Sequence, residues 1–243
     1  TVRAGSLRAL EYAHRHDVRT VLDIDYRPVL WGLTTPGDGE TRNIPSPVVT
    51  RELQEILGHF DLIVGTEDEF MIAGGSPDLM EALRDVRGRT QATLVVKLGP
   101  LGCAVIEGAI PERIEDAFSV PSPRVEVLNV LGAGDGFLAG FLSGWLRGSD
   151  YSTCCRRANA SGALVVSRHA CAPAMPTEAE LQYFLEHADT LTEPAHDNTL
   201  NWLHHVTPKR RTWNDVFIFA FDHRSQLYDL ARQVGASEKR LPE

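Results

Sequence analysis

The chain has 243 residues, 43% of them hydrophobic and 23% charged, which is enough apolar material for a packed core and excludes a wholly disordered polypeptide. A formal net charge of −9 argues against a broad nucleic-acid or anionic-membrane footprint, so a small molecule is the expected partner, with no nucleic acid and no membrane. Four cysteines without CxxC spacing (Cys103, Cys154, Cys155 and Cys171) suggest neither a zinc knuckle nor a disulfide framework and fit a reducing cytoplasm.

In chain order, apolar groups at helical spacing predict a helix over Ser6–His16, and Thr20–Ile24 reads as a short buried strand. The chain opens on this helix without an initiator Met or a secretory leader, as expected of a fragment whose N-terminal part is missing. Arg27–Pro47, rich in Pro, Gly and Thr, predicts a long surface loop. A helix over Val48–Leu57, a strand over Asp61–Val64, helices from Glu67 and Pro77 and a strand over Thr93–Lys97 follow. Leu101–Glu107 and Ala117–Val120 read as further strands, and two helices span about Ala133–Leu146 and Tyr151–Ser167. Such alternation predicts an α/β fold with a parallel or mostly parallel sheet covered on both faces, and ligands beyond the carboxyl ends of the strands.

The segment NVLGAGDGFLAGFLSGW, Asn129–Trp145, carries the sharpest chemistry. Gly132, Ala133 and Gly134 have almost no side chains, so their amides can approach an anion where a helix adds the positive end of its dipole. Asp135 falls in the first helical turn, where a carboxylate beside a phosphate can accept a proton from an attacking hydroxyl; a plain first-turn acid is the alternative. Gly136, Gly140 and Gly144 form a flat face, which close helix packing alone would explain.

GAGDGF followed by a small-residue helix resembles the C-terminal signature of the PfkB, or ribokinase-like, carbohydrate kinases. The resemblance implies a three-layer α/β/α fold, incomplete here at its N-terminus. It further implies that Gly132, Ala133 and Gly134 form the anion hole for the transferred phosphoryl group, with Asp135 as the base. GTEDEF, Gly65–Phe70, resembles the family's NxxE motif with Thr66 in place of Asn, which implies that Glu69 organises Mg2+ with the ATP phosphates; a capped acidic helix start is the other reading. VVKLGPLGC, Val95–Cys103, resembles the strand and turn bordering the nucleotide, so Gly99 and Gly102 are expected to wall the site. Lys97 either faces a phosphate or is a solvated strand-end lysine.

Asn159 lies in the region that flanks the adenine in this family, and SRHACAPAMP, Ser167–Pro176, resembles the loop closing the same pocket, with His169 structural or nucleotide-adjacent. Some members bind a monovalent cation through this loop and an Asp, replaced here by Asn129, which leaves monovalent-cation dependence open. LDIDYRPVLWG, Leu22–Gly32, resembles the strand-end motif of members that act on sugar acids, implying substrate contacts from Asp25 and Arg27. An ion pair of Arg27 with Asp23 or Asp25 is the bland alternative.

The expected domains are residues 1–189, the later part of a kinase domain by this resemblance, 190–212, a polar, Pro- and His-containing linker or mobile helical connector, and 213–243, one βα unit. Within that unit DVFIFAF reads as a strand, 224–234 as a helix, and FAFDHRSQL resembles the opening of an aldolase-like barrel. An uncovered sheet edge would favour self-association into a homo-oligomer.

Overall fold

The structure, a computed structural model, describes residues 2–34 and 44–208. Of these, residues 2–26 and 44–208 belong to one compact unit and 27–34 to a second. Of the second unit, the described part is a 3-10 turn at Pro28–Trp31 closed by Gly32 in the left-handed region, within the expected long loop. The strand and helix expected after residue 213 lie outside the described residues.

In the first unit α1 (Val2–Arg15) begins four positions earlier than its apolar spacing indicates. There follow β1 (Val21–Asp23), α2 (Pro47–Ile56), β2 (Leu62–Thr66), α3 (Glu67–Gly74), α4 (Leu79–Arg87), β3 (Thr93–Lys97), β4 (Cys103–Ile106) and β5 (Phe118–Val120). Helices α5 (Ala133–Trp145), α6 (Tyr151–Val166), α7 (Glu178–His187) and α8 (Asn198–Val206) complete it. The five strands lie in the order β1-β2-β3-β4-β5. β1, β2 and β3 run parallel, as β-helix-β crossovers require, whereas β4 and β5 are antiparallel. The reason is local: between Lys97 and Cys103 there is only a 3-10 turn, too short to carry the chain back for a parallel partner.

Strand alternation sorts the two faces. Ile63, Leu94, Val96, Ala104 and Ile106 pack with Val49 of α2, Phe70 of α3, and Leu83 and Val86 of α4. Leu62, Val64, Val95, Cys103 and Val105 pack on the other face against Phe137 and Phe141 of α5 and Cys154, Cys155 and Ala158 of α6. This is the expected α/β/α layering. A smaller core behind α6 joins Ala160, Ala163 and Leu164 to Leu181 and Phe184 of α7 and Leu200 of α8, so part of the expected connector is a packed helix.

The α5 glycine face is used for close packing. A Cβ on Gly140 would lie 2.5 Å from the Arg157 carbonyl oxygen, and one on Gly136 2.7 Å from Val165. The contact fixes α5 under the sheet's carboxyl end, the position that matters for the site.

Candidate functional site

Five helices in this unit cap themselves: Thr66, Asp78, Asp150, Thr177 and Asp197 each accept a first-turn amide. At α5 the N-cap is Gly132, at φ 84°, and no side chain caps the helix. Gly136 N–H closes on the Gly132 carbonyl at 2.9 Å and Ala133 N–H reaches the Val130 carbonyl at 3.3 Å. Gly134 and Asp135 therefore contribute the first-turn donors that lack an acceptor within the helix. The Asp135 side chain is exposed at the same turn.

Lys97, at the end of β3, has the parity of Val95 and so points to the α5 face. Its Nζ lies 3.0 Å from Asp23 Oδ1 and 3.6 Å from Glu69 Oε2, and a Cβ on Gly134 would be 3.5 Å from it. All three charged side chains are at most one-fifth exposed. Burial raises the Asp23 carboxyl above the usual range; Lys97 opposes this, while Glu69 and Asp25 add to it. Glu69 Oε2 also accepts from Thr66 N–H at 2.7 Å, and Thr66 Oγ1 accepts from Glu69 N–H at 3.3 Å. The reciprocal capping box fixes the Glu69 carboxylate beside Lys97. A cation beside free helix-start amides, with a carboxylate on the same turn, can hold a polyanion and take up a proton next to it.

Known proteins resemble this chain in sequence and in fold. Residues 37–178, more than half of the chain, match the family described as pfkB family carbohydrate kinase. The chain belongs to this family. It is 30% identical over 189 residues to 5-dehydro-2-deoxygluconokinase of Bacillus subtilis, covering 76% of this chain and 52% of that one. The enzyme of the same name from Bacillus thuringiensis is 31% identical over 201 residues, covering 78% and 53%. The pfkB-family chain thus spans about half the length of these curated relatives.

Solved structures agree on the fold. A fructokinase from Vibrio cholerae in its fructose, ADP and potassium ion bound form aligns with a TM-score of 0.62 at 21% identity, over 75% of this chain and 55% of that one. Aminoimidazole riboside kinase from Salmonella enterica, complexed with aminoimidazole riboside and an ATP analog, aligns at 0.59 and 22% identity, over 74% and 56%. Residues 180–243 match a second family, described as an uncharacterized protein conserved in bacteria (DUF2090). No helix among the described residues is long and apolar enough to cross a membrane.

The Gly132 turn is covered by the loop after α6. A Cβ on Gly132 would lie 2.5 Å from Cys171 Sγ and 3.4 Å from Met175 Cε, so the loop rests on the turn itself. Asn129 ties the two together: its Nδ2 donates to the Ala170 carbonyl at 3.1 Å and its Oδ1 accepts from Leu131 N–H at 3.1 Å. Ala170 has a positive φ of 71°, a conformation a non-glycine residue holds only when its surroundings impose it. His169 is exposed on this loop.

The other expected residues have definite places. Gly99 opens the turn after β3 at φ 57°, and a Cβ there would meet nothing. Gly102 answers a steric demand, since a Cβ on it would be 2.0 Å from the Val120 carbonyl oxygen. Asn159 is buried and donates both amide protons, to the carbonyls of Val120 at 2.9 Å and Pro121 at 3.2 Å, bracing the end of β5. Asp25 follows β1 at a positive φ of 31°, and Arg27 stands in extended backbone just before the Pro28–Trp31 turn. Asp23 is the residue that sequence reasoning left without a role at the site. Its signal was available: in adjoining parallel strands, residues of like parity at the carboxyl ends share one face.

Proposed function

We propose that the protein carrying this chain transfers the γ-phosphoryl group of ATP to the primary hydroxyl of a keto sugar acid, 5-dehydro-2-deoxygluconate. One observation carries the reading: the uncapped N-terminus of α5 presents its free amides beside Lys97 Nζ and sets the exposed Asp135 on the same turn. The acceptor is supported by the names of the relatives and by Asp25, which follows β1 at the sheet's carboxyl end.

In this reading the Gly132–Ala133–Gly134 turn holds the transferring phosphoryl group, the Gly134 and Asp135 amides donating to its oxygens. Asp135 accepts the proton of the attacking hydroxyl. Lys97, oriented by Asp23 and Glu69, adds positive charge where negative charge grows in the transition state. Gly99 and Gly102 shape the wall that the nucleotide passes, and Asn159 keeps that wall in place through β5. Asp25 accepts hydrogen bonds from the sugar acid's hydroxyls.

Among the described residues no group of three or more His, Cys, Asp or Glu side chains gathers to hold a metal ion. Asp23 and Glu69 flank Lys97, so Mg2+ fits here only as an ion completed by phosphate oxygens, with Glu69 acting indirectly. When bound, it would neutralise charge on the phosphates.

The test has two arms. Titration of the full-length protein with ATP, with and without Mg2+, measures binding, and ADP release across sugar acids, sugars and nucleosides identifies the acceptor. Tight Mg-ATP binding and ADP release with 5-dehydro-2-deoxygluconate above the other acceptors are the expected results. ATP binding without ADP release for any acceptor would instead mark a nucleotide-binding module.

A further inference from the structure

Outside the site lies a polar cluster that its chemistry does not use. Glu180, on α7, is fully buried. Its Oε1 accepts from Arg168 Nη2 at 2.6 Å and from His204 Nδ1 at 2.9 Å, and its Oε2 accepts from Thr177 N–H at 2.7 Å. Because an ionised Glu180 can only accept, His204 carries a proton on Nδ1. Arg168 Nη1, 3.3 Å from that nitrogen, donates to the Ala174 carbonyl at 3.2 Å. The charged or titratable groups around His204 are Glu180 from α7, Arg168 from the loop after α6, and His205 beside it on α8, with ring centroids 5.9 Å apart.

The cluster bridges two stretches of sequence of separate kinship. Arg168 lies in the part matching the pfkB family, whereas Glu180 and His204 lie in the part matching the second family. Arg168 also grips the loop at Ala174, on the span whose Cys171 and Met175 press against Gly132. Asn129 holds the same loop from the other end, at Ala170.

We infer that Arg168, Glu180 and His204 form a latch that seats residues 168–175 on the Gly132 turn, through which the second family's segment sets the affinity for nucleotide. All three are positioning residues, acting on the turn through the loop that Arg168 holds at Ala174. The nucleotide half of this inference rests on the reading of that turn as the phosphate site; the seating half does not.

Cys171 reports the seating directly, because the other cysteines among the described residues are buried. In the full-length protein, the rate at which iodoacetamide modifies Cys171, followed on its own peptide by mass spectrometry, measures how often the loop lifts. Arg168→Met and His204→Ala are expected to raise that rate about tenfold and to weaken ATP binding in proportion, with Arg168→Lys within about twofold of the unaltered protein. Should Arg168→Met not fold, His204→Ala against Arg168→Lys makes the same comparison. Labelling unchanged in Arg168→Met and His204→Ala would overturn the latch. Faster labelling with unaltered ATP affinity would overturn its link to nucleotide. Faster labelling in a protein that binds no ATP before alteration would support the seating and sink the phosphate reading instead.

Discussion

Lys97 Nζ lies 3.0 Å from Asp23 Oδ1, across the β2 strand that separates their own. The pair holds a cation at the carboxyl edge of the sheet, under the first turn of α5, where a free lysine would swing into solvent. The carboxylate that holds it is itself strained electrostatically, because burial disfavours its charged form and Glu69 and Asp25 repel it.

A pH dependence follows. The folded protein binds a proton at Asp23 more tightly than the unfolded chain does, so the contribution of Asp23 to stability is greatest below the ordinary carboxylate value of about 3.9 and falls as pH rises through the raised folded value. Asp23→Asn removes that component. Urea unfolding measured from acid to neutral pH should therefore show a flatter pH profile for Asp23→Asn in this window than for the unaltered protein. A profile unchanged by the substitution would place the Asp23 charge in water.

Two glycines with left-handed backbone separate strain from contact. Gly99→Ala adds a methyl to open space, so its cost is conformational, about 1–2 kcal/mol. Gly132→Ala carries the same strain and also drives a methyl to within 2.5 Å of Cys171 Sγ. It should lose more stability than Gly99→Ala, and among the two only Gly132→Ala should speed Cys171 modification. Thermal unfolding of both variants decides it; equal losses would mean that the loop does not rest on the turn.

Glu180 carries the opposite sign to Asp23. Burial alone would raise its pKa, but the Thr177 amide and the Arg168 charge outweigh it and hold the carboxyl below its usual range. Its stabilisation is thus present in full above the unfolded value of about 4.3 and is lost as pH falls through the lower folded value. Glu180→Gln should cost about 3–5 kcal/mol at neutral pH, the cost of leaving a buried partner charge uncompensated. The gap from the unaltered protein should narrow in acid. A gap that stays constant across that range would show that the Glu180 charge contributes nothing.

Much of this architecture was legible in the chain. Apolar runs such as Leu62–Val64 and Leu94–Val96 marked strands buried on both faces, and the glycines of α5 marked a helix packed hard against another. The antiparallel turn of the sheet was not, because a strand run carries no direction; the short connection at Gly99–Leu101 sets it. Helix α7 escaped notice, and α8 was legible only as a linker or helical connector, because both are short, rich in Glu, His and Asn, and bury few residues, Leu181, Phe184 and Leu200 among them. At the site, Gly132 and Asp135 stood out as a local motif. The Asp23–Lys97 pair and the Arg168–Glu180–His204 cluster join residues distant in sequence, and only folding brings them together.

The most direct test of the kinase account is Asp135→Asn in the full-length protein, with ATP affinity and turnover measured on the same sample. The substitution keeps the shape of the turn and its amides while removing the proton acceptor. ATP affinity should change little, while turnover with the sugar acid falls by about two to four orders of magnitude. Turnover equal to that of the unaltered protein would contradict the account, because the hydroxyl proton would then leave by another route.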